Sequence, residues 1–322
     1  MIEIKDLVKN YGKIEALKGI SFSVTGGEVV GFLGPNGAGK STAMNILCGY
    51  LSSTSGKAEI NGVDILENPI EAKKMIGFLP EQPPLYLDMT VKEYLNFIYD
   101  LKGCKLDRAK HLKEVCEVVG IWEQKNRVIR NLSKGFKQRV GIAQALVGNP
   151  PVLIFDEPTV GLDPKQIIEI RGLIKALGNK HTIILSTHIL GEVQAVCDRI
   201  IIINKGKIVA DEKTEEISNS LVEGRRVNVK ICGPEKDVLD TLKKMSGVAY
   251  VKSLGKHDMD SVSYYVESAP GIDIRKTLFN TLSQKGWPVI GLEAMGVNLE
   301  DVFISVVDEA PAADKSKKNK RK

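Results

Sequence analysis

Short apolar runs alternate with stretches of helical periodicity along the first two thirds of the chain. Continuous apolar runs, unlike alternating ones, are typical of strands buried on both faces of a parallel sheet, with helices covering those faces. The pattern therefore predicts an α/β sheet that is largely parallel in its middle. The predicted strands lie at residues 29–33, 76–79, 152–155, 182–186 and 199–204.

The pattern becomes helical between Thr90 and Leu146. Apolar residues recur there three and four positions apart, which places them on one face of a helix. Two such stripes predict a helical subdomain inserted into the sheet, at about residues 88–146. The stripes consist of Val91, Tyr94, Leu95 and Ile98, and of Leu112, Val115 and Val119.

The hydrophobic pattern changes again near residue 220. The predicted elements after that point follow the order strand, helix, strand, strand, helix, strand. This order is typical of a split β-α-β motif. We expect a first domain at residues 1–219, a small α+β accessory domain at 220–309 and a disordered basic tail at 310–322. The small domain has predicted strands at 227–231, 248–253, 262–267 and 287–292, and predicted helices at 237–245 and 274–285.

Composition adds limits to this picture. A chain of 322 residues that is 43% hydrophobic can bury a sizeable core in two domains. No uncharged apolar stretch reaches the ~18 residues that a membrane span needs, and residues 1–6 lack the pattern of a signal peptide. The five cysteines form no C-x-x-C pair, which favours a reducing compartment without disulfides or a zinc site. We expect a cytoplasmic protein.

The positive charge is concentrated at the C-terminus. The formal net charge of the chain is +5. Six basic residues after position 314 contribute +6, so the rest of the chain has a net charge of −1. Such a charge run is typical of a solvated, disordered tail. The alternative is contact with anionic lipid head groups. Nucleic acid binding has no other support in the sequence, and we do not expect it.

A glycine-rich loop lies between the first predicted strand and a helix-compatible segment. It fits the pattern G-x-x-x-x-G-K-S, in which backbone N–H groups cradle phosphates, the lysine reaches the β- and γ-phosphates and the serine hydroxyl binds Mg²⁺. A tight glycine turn alone would not need lysine and serine at those positions. The predicted nucleotide-binding residues are Gly34, Pro35, Asn36, Gly37, Ala38, Gly39, Lys40, Ser41 and Thr42.

Two further predicted strands end in polar residues at the same sheet edge. Asp156 and Glu157 end one of them, where Asp156 would hold Mg²⁺ and Glu157 would polarise a water for attack on the γ-phosphorus. The alternative for this pair is an N-terminal helix cap. His188 follows the next strand, where it would contact the γ-phosphate or serve as a structural residue.

Two further segments belong with these candidate nucleotide-binding residues. Residues 132–139 read Leu-Ser-Lys-Gly-Phe-Lys-Gln-Arg, and residues 161–164 read Gly-Leu-Asp-Pro. Alone, they read as a helix cap and a turn. In this order and spacing with the phosphate loop, the two acids and His188, they closely resemble the ATPase subunits of ABC transporters over residues 1 to about 215. The resemblance implies a P-loop NTPase fold with an inserted helical subdomain, ATP and Mg²⁺ as ligands, and a second ATPase subunit, most simply a second copy of this chain.

The resemblance also assigns roles residue by residue. Tyr11 would stack on adenine, Glu157 would be the catalytic base, and Asp163 would belong to the D-loop. Ser133 and Gly135 would contact the ATP held by the partner's phosphate loop, so that each site is completed in trans. Lys40 and His188 would be the other catalytic residues.

The sequence departs from the family pattern at two places. Lys134 stands where the common signature has its first glycine, and Phe136 where it has glutamine. Counting back from Thr90, the Q-loop position falls on Glu81 rather than Gln82. Either side chain could reach the metal.

Residues 77–81, 132–135 and 299–303 resemble the branch that serves ABC-2-type exporters, including gliding-motility and drug-efflux relatives. This implies a peripheral subunit on the inner face of the cell membrane, which powers a separate integral-membrane permease docked near residues 81–87. The alternative is a soluble ABC ATPase that acts on the ribosome or nucleic acid. One ATPase domain and the lack of sustained heptads speak against that alternative.

Overall fold

The computed structural model describes residues 1–214, 226–258, 260–269 and 272–294. The chain divides into two compact units, Met1–Thr214 and Glu215–Lys322. The boundary expected near residue 220 falls among residues 215–225, outside the described residues, as do the basic tail and residues 299–303. No helix of the described residues is long and apolar enough to cross a membrane.

The first unit combines two sheets with seven α-helices in its described residues. Its strands are β1 (Ile2–Tyr11), β2 (Ile14–Val24), β3 (Val29–Leu33), β4 (Ser55–Ile60), β5 (Val63–Asp64), β6 (Ile76–Leu79), β7 (Val152–Asp156), β8 (Thr182–Thr187), β9 (Arg199–Asn204) and β10 (Lys207–Lys213). Its helices are α1 (Lys40–Leu47), α2 (Pro69–Lys74), α3 (Val91–Leu101), α4 (Arg108–Val118), α5 (Lys134–Leu146), α6 (Pro164–Gly178) and α7 (Leu190–Val196).

The central sheet has the strand order β10-β9-β3-β8-β7-β6. All neighbouring pairs are parallel except β10 with β9 at one edge. The five strands predicted from apolar runs are all in this sheet, and β3, β7 and β8 are buried along their whole length. The predicted α/β fold class is confirmed.

A second sheet, with the order β2-β1-β4-β5, is antiparallel and was not predicted. The sequence pattern does not indicate this sheet, because the alternation of apolar and polar residues along β1 is irregular. Ile2, Ile4 and Leu7 point into the core, but the register shifts between Ile4 and Leu7, where Asp6 has a φ of +45°. This bulge interrupts the period of two that would reveal the strand.

Helices α3, α4 and α5 form the helical subdomain, and both apolar stripes predicted for it are buried. Each helix begins at a side-chain cap. Thr90 and Glu93 form a capping box on α3, and Asp107 Oδ1 accepts a hydrogen bond from Lys110 N at the start of α4. Ser133 Oγ accepts one from Phe136 N, 3.4 Å away, at the start of α5. These caps satisfy N–H groups that the helices leave open and set where each helix begins.

The second unit contains β11 (Arg226–Ile231), α8 (Glu235–Lys244), β12 (Val248–Asp258), β13 (Ser261–Ser268), α9 (Arg275–Gln284) and β14 (Val289–Ala294). Its sheet is antiparallel with the order β12-β13-β11-β14. This is the split β-α-β topology predicted from the order of elements. Side chains from the sheet and both helices form one core, which includes Val229, Tyr264, Leu242 and Leu278.

Candidate functional site

The glycine-rich loop leads from β3 into α1, and its glycines are needed for backbone conformation and space. Gly37 and Gly39 have φ values of +77° and +112°. A Cβ at Gly34 would overlap Ile203 O, and one at Gly39 would lie 2.9 Å from Ala16 O. A loop of this kind brings its N–H groups together at the N-terminus of α1, where an anion is favoured.

Lys40, the first residue of α1, folds back over this loop. Its side chain is 6% exposed, and its Nζ donates hydrogen bonds to Gly34 O at 2.7 Å and Pro35 O at 3.3 Å. Burial lowers the pKa of the Lys40 ammonium below its usual range, and the carboxylates of Glu157 and Asp156 oppose that shift. The ammonium therefore lies at the loop, next to two acids.

Glu157 contacts both other predicted catalytic residues. Its Oε1 lies 2.8 Å from His188 Nδ1 and 3.8 Å from Lys40 Nζ, and the residue is 8% exposed. Its φ of +49° is uncommon for a residue other than glycine. The helix-cap alternative for residues 156 and 157 is wrong, because the next helix, α6, begins only at Pro164 and is capped by Asp163.

The register of the central sheet explains why these residues meet. Asp156 at the end of β7 pairs with Ser186 of β8, and Glu157 N donates a hydrogen bond to Ser186 O at 2.9 Å. On the other side of β8, Leu33 of β3 pairs with Thr187. Three adjacent parallel strands therefore end together, which is where α/β proteins bind ligands.

Residues of the phosphate loop, together with Glu157, surround a cavity of about 190 Å³. Glu81 lines this cavity, whereas its neighbour Gln82 does not, although both are exposed. Of the two candidates for the Q-loop position, Glu81 is therefore the one beside the phosphate loop. The full lining is Ala16, Asn36, Gly37, Gly39, Lys40, Ser41, Thr42, Glu81 and Glu157.

The available donors fit Mg²⁺ bound together with phosphates. Asp156 is buried, and its Oδ1 has no hydrogen-bond partner in the part of the chain that the structure describes, while the exposed Ser41 offers a hydroxyl. Among the described residues, no group of three or more His, Cys, Asp or Glu side chains could hold a metal ion by itself. Mg²⁺ prefers one or two carboxylates plus waters and substrate phosphates to an all-protein cage. The donor set is therefore that of a nucleotide-dependent metal site.

The remaining predicted ATP contacts lie outside this cavity. Tyr11, 45% exposed, ends β1, and the following strand β2 contributes Ala16 to the lining. Ser133 is exposed at the start of α5, and Gly135 packs so closely on Gln166 that a Cβ would lie 2.6 Å from Gln166 Cδ. Neither Ser133 nor Gly135 lines the cavity. The predicted signature residues of the chain therefore lie outside the cavity at its own phosphate loop.

Three residues next to the Glu157–His188 pair were missed by sequence analysis. Glu192 is buried and accepts hydrogen bonds from Thr159 and Thr187. A glutamate four positions after His188 on a short helix carries no motif by itself. Only the tertiary structure reveals that it joins two loops of the site.

The comparisons with known proteins agree with this geometry. Residues 17–160 match the family model described as "ABC transporter". Over 95% of its length the chain is 32% identical to the linearmycin resistance ATP-binding protein LnrL of Bacillus subtilis, of which the alignment covers 98%. It is also 38% identical to the bacitracin transport ATP-binding protein BcrA of Bacillus licheniformis, over 66% of this chain and 69% of that one.

Solved structures match about two thirds of the chain. The dimeric cassette MJ0796 of a bacterial ABC transporter superimposes with a TM-score of 0.61 and 31% identity, covering 66% of this chain and 99% of that one. Its post-hydrolysis form bound to ADP and phosphate gives 0.60 at 30% identity, with the same coverage.

Proposed function

Because this chain belongs to the ATP-binding proteins of ABC transporters, and is therefore an ATPase, we propose that it is the subunit that powers a separate integral-membrane permease for export. The contact of Glu157 with both His188 and Lys40 beside the phosphate loop carries this proposal. It supplies a carboxylate, an imidazole and an ammonium where the γ-phosphate of a bound nucleotide would lie.

In the proposed mechanism the loop N–H groups and Lys40 bind and orient the phosphates. Ser41 and Asp156 would hold Mg²⁺, with Glu81 in reach of its waters. That ion would neutralise charge between the β- and γ-phosphates. Asp156 suits this role because its buried Oδ1 has no hydrogen-bond partner among the described residues. Tyr11 would stack on the adenine from the end of β1.

Glu157 would act on the attacking water. Its Oε1 is held by His188, so the carboxylate has one orientation relative to the phosphate loop. A carboxylate placed in this way accepts a proton from water as that water attacks the γ-phosphorus in line. His188 is half-exposed and would contact the γ-phosphate with its other ring nitrogen.

The second half of each site would come from a second copy of the chain. Ser133 and Gly135 lie away from the cavity of their own chain, and Ser133 is exposed at a helix N-terminus. A two-fold symmetric pair places this surface of one copy against the phosphate loop of the other, and does so twice. ATP would then hold the pair closed, and hydrolysis would open it.

The permease and the direction of transport are inferred from relatives. LnrL is named for linearmycin resistance and BcrA for bacitracin transport, which favours export of a small molecule over nutrient uptake. We infer a peripheral position on the inner face of the membrane. The basic tail would add weak contact with anionic lipid. The soluble alternative is not favoured, because these relatives are named as transport or resistance proteins.

The test uses a Glu157→Gln variant. An amide cannot take the proton, so ATP should bind as in wild type while phosphate release falls by about 10²-fold or more. The tagged variant is then purified from detergent-solubilised membranes with ATP and Mg²⁺, and its companions are identified by mass spectrometry. A stoichiometric multi-span protein supports the proposal. Undiminished hydrolysis refutes the role of Glu157, and ribosomes or nucleic acid without a membrane protein refute the permease.

A further inference from the structure

A buried carboxylate that the mechanism does not use lies directly behind the Glu157–His188 pair. Glu192, on α7, is 1% exposed. It accepts a hydrogen bond at Oε1 from Thr159 Oγ1 and another at Oε2 from Thr187 Oγ1, the latter 2.8 Å long. Arg171 Nη2, on α6, lies 3.7 Å from Oε1. A buried carboxylate is costly unless its oxygens are satisfied, so these partners hold it in one place.

The two threonines belong to the two segments that carry the catalytic pair. Thr159 follows Glu157 by two residues on the loop that leaves β7, and Thr187 directly precedes His188 at the end of β8. Both threonines are buried. One carboxylate thus joins the loop of the predicted base to the turn of the predicted switch histidine.

The distances also decide which acid receives the Thr187 proton. Thr187 Oγ1 lies 2.8 Å from Glu192 Oε2 and 3.4 Å from Glu157 Oε2, and a hydroxyl has one proton to donate. The shorter contact takes it. Ile189 N, 3.1 Å away, donates to the same hydroxyl oxygen and fixes its position. Glu192 therefore takes the hydrogen bond of the Thr187 hydroxyl, and Glu157 Oε2 does not receive that proton.

We propose that Glu192 is a positioning residue for hydrolysis, which acts through Thr159 and Thr187 to fix Glu157 and His188 relative to each other. The inference rests on the proposed function of Glu157 and His188. The Glu157 loop needs such support because its φ of +49° is unfavourable and persists only when its surroundings hold it. Glu192 does not line the nucleotide cavity, so its loss should slow turnover and leave nucleotide binding intact.

The experiment measures kcat for ATP and the Kd of a fluorescent ATP analogue on the full chain. Glu192→Gln keeps the volume, but its amide group donates and therefore cannot accept from both hydroxyls. We expect kcat to fall by about tenfold or more while Kd changes by less than about twofold. Gln194→Ala, an exposed position on the same helix, is the control that should retain wild-type kcat.

Threonine variants test whether the hydroxyls transmit the effect. Thr159→Ser and Thr187→Ser keep the hydroxyl and should retain most of the activity, whereas the valine variants keep the shape, lose the hydroxyl and should resemble Glu192→Gln. Adding Thr187→Val to Glu192→Gln should cost less than the two separate effects together, because both changes remove one contact.

Either of two results overturns the proposal: a wild-type kcat in Glu192→Gln, or serine variants as impaired as valine variants. If Glu192→Gln does not fold, the serine and valine series decides alone. Failure of the proposed function is distinguishable, because it would show as full activity in Glu157→Gln. An inactive Glu157→Gln beside a fully active Glu192→Gln rejects only the positioning role.

Discussion

The phosphate-loop cavity and the N-terminus of α5 are both expected to contact ATP, yet their side chains differ in burial and in contacts with other residues of the chain. At the cavity, Glu157 contacts both Lys40 and His188, and Lys40 and Glu157 are largely buried. At α5, Ser133 and Lys134 are exposed, and no carboxylate of the described residues pairs with Lys134. One half of the proposed site is assembled within the chain, and the other presents exposed polar groups outward.

The charged groups of the two regions also differ, because Lys40 lies beside carboxylates and Lys134 does not pair with one among the described residues. Lys134 is the first residue of α5, where the helix dipole disfavours a cation, and its side chain packs across Gly161. A cation at this place becomes favourable when an anion approaches the helix end. The α5 terminus is therefore suited to a phosphate from outside its own chain.

The largest effect is expected from Lys40→Ala, which removes the cavity's cation. Loss of a charged hydrogen-bonding group costs about 1.5–3 kcal/mol, so we expect ATP to bind at least about tenfold more weakly and hydrolysis to stop. Equilibrium titration with a fluorescent ATP analogue measures this. Unchanged ATP affinity in this variant would show that the loop does not bind the phosphates through Lys40.

A smaller and more selective effect is expected from Ser133→Arg at the other region. The long side chain should block a partner's ATP while leaving the chain's own cavity untouched. We expect nucleotide affinity of the dilute monomer within about twofold of wild type and kcat reduced about tenfold or more. Ser52→Arg, at an exposed position that does not line the cavity, is a matched control for the added charge. Weaker binding in the Ser133→Arg monomer would contradict the division of roles.

The smallest effect concerns the other end of α5. Lys102 Nζ donates to carbonyls of the last turn of this helix and to Val147 O, 2.8 Å away, just after its end. Burial lowers the pKa of Lys102 to about 8. The unfolded chain then binds more protons than the folded chain between pH 8 and the ordinary lysine pKa of 10.5. The Lys102 contribution to the free energy of unfolding should rise with pH across that window.

Urea unfolding of wild type and Lys102→Met at several pH values between 7.5 and 10 measures this contribution. The wild type should gain stability relative to the variant as pH rises, by up to about 1 kcal/mol per pH unit. Nucleotide affinity at the phosphate loop should not change. A constant difference between the two proteins would show that Lys102 titrates normally.

The cavity half of the site could be predicted from the sequence because its chemistry is local. Lys40 and Ser41 stand at fixed offsets within one loop, and Glu157 and His188 each follow an apolar strand. Adjacent parallel strands end at one edge, so the pattern also placed these residues together. The antiparallel sheet escaped prediction because bulges such as the one at Asp6 break its alternation.

Other parts of the site could not be predicted because they depend on tertiary contacts. Nothing local distinguishes Glu192 from a surface glutamate until α7 packs it against Thr159 and Thr187. The choice between Glu81 and Gln82 likewise depends on which side chain faces the cavity. Ser133 differs again, because its predicted ligand belongs to another chain.

In the proposed mechanism, two copies of this chain complete each other's ATP sites. The most direct test is the molar mass of Glu157→Gln in solution by size-exclusion chromatography with light scattering, with and without ATP and Mg²⁺. We expect Glu157→Gln to be a monomer without nucleotide and a dimer with it, and to be a monomer under both conditions when Ser133→Arg is added. If Glu157→Gln remains monomeric at saturating ATP, or dimerises even with Ser133→Arg, the two copies do not complete each other's sites through Ser133.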